Sequence, residues 1–248
     1  MAIKTRKISD WLSANGQAIT NASAASMKTY LEQNLNSLQD GVYIAKIQKE
    51  SWGTYVRCEG WQDTSIGISK ADADAVVVQY GGLRFGIAIT EPSAEMKWGS
   101  VGNENSVGYQ ESSDWNLFDG KARTAAIMES SYYKNDSPQT YAVAYCYNYS
   151  KSHTGDPGGD VIIPARSWYL PATGELEIIR SHYYTINLAL QRIKKAGKQD
   201  VDLLKNTYYW SCVEGSGNGA RILHLTNGER ALGGKVINPH KVRPVTAF

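Results

Sequence analysis

The clearest periodic stretch of the chain runs from Leu176 to Ile193. Apolar residues recur at Leu176, Ile179, Tyr183, Ile186, Leu190 and Ile193, in steps of three and four that put all six on one helical face. The polar face carries Glu175, Glu177, Arg180, Asn187, Lys194 and Lys195. Acids early and lysines late suit the helix macrodipole, and Gly197 offers a left-handed stop. The spacing predicts one helix over about 173–196. Just before it, Pro164 and Pro171 bracket an extended segment in which Trp168, Tyr169 and Leu170 are anchors, because each proline fixes its own φ and biases the preceding residue away from the helical region.

From Gly41 the period is two: GVYIAKIQ, GTYVRCEGW, AVVVQY and LRFGIAIT read as strands. Gly81-Gly82 tolerates the positive φ of a tight turn, so 75–80 and 83–90 form a hairpin. Residues 91–118 lack periodicity and read as loop, pinned by Trp98 and Trp115. Asp119-Gly120 makes a turn into a helix over 121–130 that packs through Ala125, Ala126, Ile127 and Met128. YAVAYCYNY at 141–149 fits a helix or a strand, and 151–160 is surface loop. Tyr208 to Val213 is a compact strand, after which glycines punctuate short strands up to a final KVRPVTAF.

Residues 1–40 differ from the rest. Ser9 caps a short helix ended by Gly16, and a second helix spans 23–39 with Met27, Tyr30, Leu31, Leu35 and Leu38 on its apolar side. So thin a stripe needs a surface to lie on. Docking on the same chain and contact between copies both stay open. The organisation expected is an N-terminal helical attachment or oligomerisation segment (1–40), a β-rich connector (41–69) and a head (70–248).

Charge and composition narrow the function classes. With 20% charged residues and a net charge of +2, nothing calls for nucleic acid or an acidic membrane. No stretch approaches the roughly 18 apolar residues of a membrane span. The N-terminus has no apolar run of signal-peptide length, which fits a protein kept in a cytosol, exported by another route, or assembled into a virus particle. Sixteen Tyr and seven Trp against three Phe favour wet recognition surfaces as well as cores.

Candidate chemistry is sparse. Cys58, Cys146 and Cys212 show no CxxC spacing and read as free thiols, and His153, His182, His224 and His240 are scattered. GxSxG, a strand-following GxGxxG and a Walker motif are absent. Glu175 and Glu177, two apart, face different ways on a helix. Asp156 and Asp160 lack the acidic spacing of an EF-hand. The residues point to no catalytic group, cofactor or metal.

Five blocks in order, DGKARTAAI (119–127), YAVAYCYNYS (141–150), WYLPATGEL (168–176), YYWSCVE (208–214) and VRPVTAF (242–248), resemble the hallmark blocks of the DUF1566 family. That family looks like a branch of the C-type lectin-like fold, related to the formylglycine-generating-enzyme-like group. The hairpin AVVVQYGGLRFGIAITE and Lys97-Trp98-Gly99 resemble the leading part of such domains in gut Bacteroides and their phages. The resemblance covers about 70–248 and implies an α+β fold of short antiparallel strands and two main helices. Its landmarks here are Asp119, Gly120, Trp168, Leu170, Pro171, Glu175, Leu176, Trp210 and Arg243. Where Ala172 stands, members often carry a capping Ser, so Thr173 is expected to cap one residue later.

The resemblance implies a non-enzymatic binding module, some relatives being variable targets of diversity-generating retroelements. The ligand surface implied is Glu214, Asn218, Arg221, His224, Asn227, Arg230, Lys235 and Asn238. Glu91-Pro92-Ser93 is the nearest match to a calcium-lectin triplet but lies outside that region, so no calcium is expected. The first expectation is a phage virion fibre or decoration protein whose head meets a host glycan or protein. Its N-terminal segment would join other virion proteins, in a homo-oligomer that includes a trimer among its options. The alternative is a bacterial surface or fimbrial adhesin. A third reading, a cysteine-dependent copper oxidase using Cys146 and Cys212, follows from the wider group.

Overall fold

A computed structural model describes residues 38–50, 53–63, 70–102, 112–152, 161–163 and 166–247. Both helices expected within 1–39 lie essentially outside the described residues. The fold is α+β with antiparallel sheets.

The alternating segments form β1 (Gly41–Glu50), β2 (Gly53–Gly60), β3 (Ala75–Tyr80) and β4 (Leu83–Ala88). With the late strands β7 (Trp168–Tyr169) and β11 (Val245–Ala247) they make a six-stranded sheet in the order β2-β1-β3-β4-β11-β7. The stretch expected to be a connector thus contributes β1, which sits between β2 and β3. The period of two has its usual meaning: Val42, Ile44, Val76, Val78, Phe85 and Ile87 enter one core, whereas Ala45, Ala75 and Val77 pack on the opposite face. Gly81 and Gly82 turn the β3–β4 hairpin at φ 54° and 84°, as a two-residue primed turn requires.

Two short helices follow, α1 (Gly120–Glu129) and α2 (Ala142–Asn148). Buried in α1 are Gly120, Thr124, Ile127 and Met128, so Ala125 and Ala126 flank the packing face rather than lead it. The ambiguous YAVAYCYNY is helical. Its first amides are taken by the preceding loop, Ala142 N–H by Lys97 O (2.8 Å) and Val143 N–H by Trp98 O (3.3 Å). The expected loop 151–160 begins in strand: β5 (Lys151–Ser152) pairs with β6 (Val161–Ile163).

The long helix is two helices, α3 (Thr173–Ser181) and α4 (Tyr183–Lys195), broken at His182 with φ −106° and ψ 12°. The cause is local. Ser181 Oγ (2.8 Å), His182 Nδ1 (3.0 Å) and His182 N–H (3.1 Å) all donate to the Ile178 carbonyl, and side chains that compete for backbone acceptors bend helices. The apolar face survives the break, with Leu176, Ile179, Ile186, Leu190 and Ile193 all buried. Ala172, not Thr173, is the N-cap. Glu175 Oε2 accepts its N–H at 2.7 Å, while Thr173 Oγ1 donates to Asp114 O at 3.0 Å.

A separate three-stranded sheet, in the order β10-β9-β8, comprises β8 (Tyr208–Glu214), β9 (Gly219–His224) and β10 (Arg230–Gly234). It divides the interior. Tyr209 and Leu223 point into the core shared by the six-stranded sheet, α3 and α4, whereas Trp210, Cys212, Ala220 and Ile222 point into a second core with α1 and α2.

Candidate binding surface

Strand register assigns the late polar residues to their sides. Leu232 stands opposite Arg221 and Arg230 opposite Leu223, and alternate residues share a face, so Arg221, Arg230 and Leu232 lie on the side of Leu223. α3 covers the Leu223 end of that side. Beyond it Leu232 is 48% exposed. Leu232 Cδ2 rests directly on Gly215, where any Cβ would collide with it.

Of the eight residues expected to form a ligand surface, two are buried and leave it. Lys235 Nζ meets Glu214 Oε1 at 2.6 Å, with side-chain exposures of 0% and 2%. The ammonium also lies 4.9 Å from the Trp98 ring centroid and 5.8 Å from that of Tyr133. This is a paired, aromatic-lined charge inside the protein, an arrangement that meets the cost of burial. Asn227 and Asn238 are exposed but shape turns: Asn227 Oδ1 accepts the Glu229 N–H (2.9 Å), and Asn238 Oδ1 accepts the Gly234 N–H (2.8 Å) at the end of edge strand β10. His224 is half-buried, packs edge-on to Tyr208 at 5.0 Å and contacts Thr226 Oγ1 at 3.3 Å.

Arg221, Arg230 and the exposed Asn218 remain. Arg221 Nε donates to Ser112 O at 2.9 Å. Arg230 donates to Glu177 Oε1 at 2.7 Å and lies over the Trp115 ring at 5.0 Å, while Arg180 takes the other oxygen of Glu177 at 2.7 Å. On the Leu223 side of the sheet Arg221, Arg230 and Leu232 lie together, bordered by Trp115. The sequence marks Trp115 as a loop anchor and assigns no role to Leu232. An apolar residue in a polar, glycine-punctuated run was the signal.

Most of the landmark residues lie inside the protein. Trp168, Leu170, Pro171, Glu175, Leu176, Trp210 and Arg243 are buried. Trp210 Nε1 donates to Met96 O at 2.8 Å. Asp119 precedes α1 and pairs with Arg123 at 2.6 Å, and Gly120 lies against Glu175 and Ala172 N too closely to admit a Cβ. Glu91, from the lectin-like triplet, is held by Arg243 (3.0 Å), Tyr209 Oη (3.0 Å) and Lys241 (3.7 Å).

Cys146 and Cys212 are buried free thiols, and burial pushes both well above the ordinary thiol range. Cys58 is half-buried and pushed up to about 12 by the same desolvation. Thiols held in the protonated form are poor nucleophiles and poor metal ligands. Among the described residues, no group of three or more His, Cys, Asp or Glu side chains is placed to hold a metal ion, and no helix is long and apolar enough to cross a membrane.

No protein-family model matches the sequence, and no curated protein does either. The fold is similar to that of a fimbrial protein from Bacteroides ovatus ATCC 8483, with a TM-score of 0.50 and 12% identity over 85% of this chain. The chain covers 49% of that protein, so the likeness is one of fold, spanning about half of the neighbour.

Proposed function

We propose that the chain is a non-enzymatic binding module of the DUF1566, C-type lectin-like type, displayed at a bacterial cell surface as part of a fimbria or adhesin. The fimbrial neighbour is the observation that carries this reading. It favours the adhesin over the virion fibre, for which no comparable observation speaks. Support for the lectin-like type comes from the second core, where Ile127, Cys146, Leu170, Trp210 and Val242, one from each of the five sequence blocks, pack in one cluster. The contact face is Arg221, Arg230 and Leu232 beside Trp115, rigid cationic and apolar groups of the kind that anchor protein recognition. The protonated, buried thiols speak against a cysteine oxidase.

Antibody labelling of intact cells that express the native gene, with fractionation of sheared surface filaments, tests the placement. Label on intact cells and protein in the filament fraction are expected; protein confined to the cytosol removes the reading. Arg221→Ala with Leu232→Ala is expected to weaken attachment at least about tenfold without lowering the melting temperature.

A further inference from the structure

The three-stranded sheet ends at β10, and the bonds around that strand show which of its backbone groups are spent. Lys235 N–H donates to Asn218 O and His224 N–H to Glu229 O, each at 2.9 Å. Bonding alternates along an antiparallel ladder, so in the β9–β10 register Glu229, Ala231, Gly233 and Lys235 turn their backbone groups toward β9, and Arg230, Leu232 and Gly234 turn theirs away. Gly234 is closed by its own turn: its N–H goes to Asn238 Oδ1 (2.8 Å), and its carbonyl accepts from Ile237 N–H (3.2 Å) and Asn238 N–H (3.0 Å). At the other end Gly228 N–H is spent on His224 O (3.0 Å). Among the described residues, no hydrogen bond engages the outward N–H and C=O of Arg230 and Leu232.

Edges of this kind normally carry a guard: a lysine, a proline, a bulge or a covering element. β10, with the sequence RALGG, holds neither proline nor lysine, and its register with β9 runs without a bulge. Its one charge is drawn off the edge, since the Arg230 side chain is held by Glu177 Oε1 (2.7 Å) and lies over the Trp115 ring (5.0 Å). Leu232, 48% exposed, and Ile237, 74% exposed, add apolar surface on the strand and just beyond it.

The open stretch is complementary to itself in one register. With Arg230 facing Leu232 of a second, antiparallel copy, the two-fold axis passes between the two Ala231 residues, and every free N–H and C=O of both strands finds a partner. Setting Leu232 against Leu232 instead would bring Arg230 to Gly234, whose groups are taken. Setting Arg230 against Arg230 would place like charges opposite each other and bring Leu232 to Gly228, whose N–H is spent. A longer extended peptide gains no further bonds, because the strand is closed at both ends. We propose that β10 is a homodimer edge, pairing with β10 of a second copy in the register centred on Ala231 to make one sheet in the order β8-β9-β10-β10-β9-β8. The axis is perpendicular to that sheet, so Arg221, Arg230 and Leu232 of both copies lie on the same side and the contact face is doubled. The pairing is a property of the purified chain and does not depend on where the protein is displayed or what it attaches to.

Sedimentation velocity of the purified full chain from about 1 µM to about 1 mM tests it. So short a pairing makes a small interface, and the mass is expected to rise with concentration from monomer to dimer and to stop there. Leu232→Pro is the diagnostic variant: the N–H it removes points away from β9, the position at which an edge strand tolerates proline, so the chain stays folded while dimer affinity falls about tenfold or more. Ala231→Cys reads the register directly. The two positions meet as a non-hydrogen-bonded pair with Cα atoms about 4.5 Å apart, within reach of a disulfide, and oxidation is expected to give a dimer whose 231–231 link is found by peptide mass spectrometry. A chain that stays monomeric throughout, an oligomer indifferent to Leu232→Pro, as one held through residues 1–40 would be, or an oxidised Ala231→Cys chain without the 231–231 link would each overturn the assignment. The cysteine link keeps the test decisive if the proline variant proves unstable.

Discussion

Tyr169 Oη donates to Glu175 Oε1 at 3.0 Å inside the protein, and the other oxygen of the same carboxyl accepts the Ala172 N–H at 2.7 Å. The two residues join the last strand before α3 to the first turn of α3. Glu175 is 5% exposed, and desolvation raises its pKa from 4.5 to about 7 despite both hydrogen bonds. The start of α3 therefore rests on a carboxyl that gains or loses its proton near neutral pH.

Stability should fall as pH rises past this group. The folded chain holds the proton to a higher pH than the unfolded chain, so between about 4.5 and about 7 the native state binds more protons and unfolding becomes easier with each step upward. The contribution is complete below 4.5 and lost above about 7, on the order of 3 kcal/mol in all. Glu175→Gln mimics the protonated form, its amide oxygen accepting Ala172 N–H and its amide nitrogen donating to Tyr169. Urea unfolding at pH 5, 6, 7 and 8 should show a declining midpoint for the parent and a flatter one for Glu175→Gln. Equal slopes would show that the carboxyl stays ionised throughout.

The buried Lys235–Glu214 pair predicts a strongly non-additive double mutant. Lys235→Met leaves a carboxylate inside the second core and is expected to cost roughly 3–5 kcal/mol. Adding Glu214→Leu removes the buried carboxylate as well and should recover most of that loss. Chemical denaturation of the two single variants and the double variant measures the coupling. Additive losses would mean that the two side chains act separately.

How far the sequence foretold this structure depends on which interactions decide each element. The β3–β4 hairpin was legible because alternation and Gly81-Gly82 are local signals that tertiary contacts only reinforce. α3 and α4 were half legible: the apolar face is a local pattern, but the break needs three donors converging on Ile178 O, which no period reports. α2 was ambiguous because the loop carrying Lys97 and Trp98 caps it. Glu214 and Lys235 misled for the same reason. Polar residues in a glycine-rich run look solvated, and only a contact across 21 positions buries them. The positive φ at Arg166 left no trace in the sequence, because arginine is not a residue type that announces it.

The hairpin makes a prediction at single-residue resolution. Both turn residues have positive φ, and the Gly81 N–H is also shared by the two oxygens of Asp40 at 3.1 Å each. Gly81→Asn keeps a residue that tolerates this conformation and should change stability by less than about 0.5 kcal/mol. Gly82→Val places a β-branched side chain at φ 84° and is expected to cost about 1–3 kcal/mol, read as a drop in melting temperature. Nothing lies within 4 Å of a Cβ at either glycine, so a loss at position 82 reports backbone strain and not a clash.

Arg243 separates geometry from charge. It is 1% exposed, and its Nη1 donates to Ala88 O (2.9 Å) while its Nη2 donates to Glu91 Oε2 (3.0 Å) and Asp202 O (2.9 Å). One planar guanidinium thereby ties the segment leading into β11 to the end of β4 and to the chain after α4. Lysine keeps the positive charge but is a point donor that cannot span three acceptors in a fork. If the charge beside Glu91 were all that mattered, Arg243→Lys would be nearly silent. The geometry predicts otherwise: at least one of the two carbonyls loses its partner inside the protein, which should cost about 1–3 kcal/mol. Denaturant midpoints of the parent, the lysine variant and the methionine variant decide between the two, and hydrogen exchange at Asp202 and Glu91, whose segments the fork clamps, should rise in the lysine variant first.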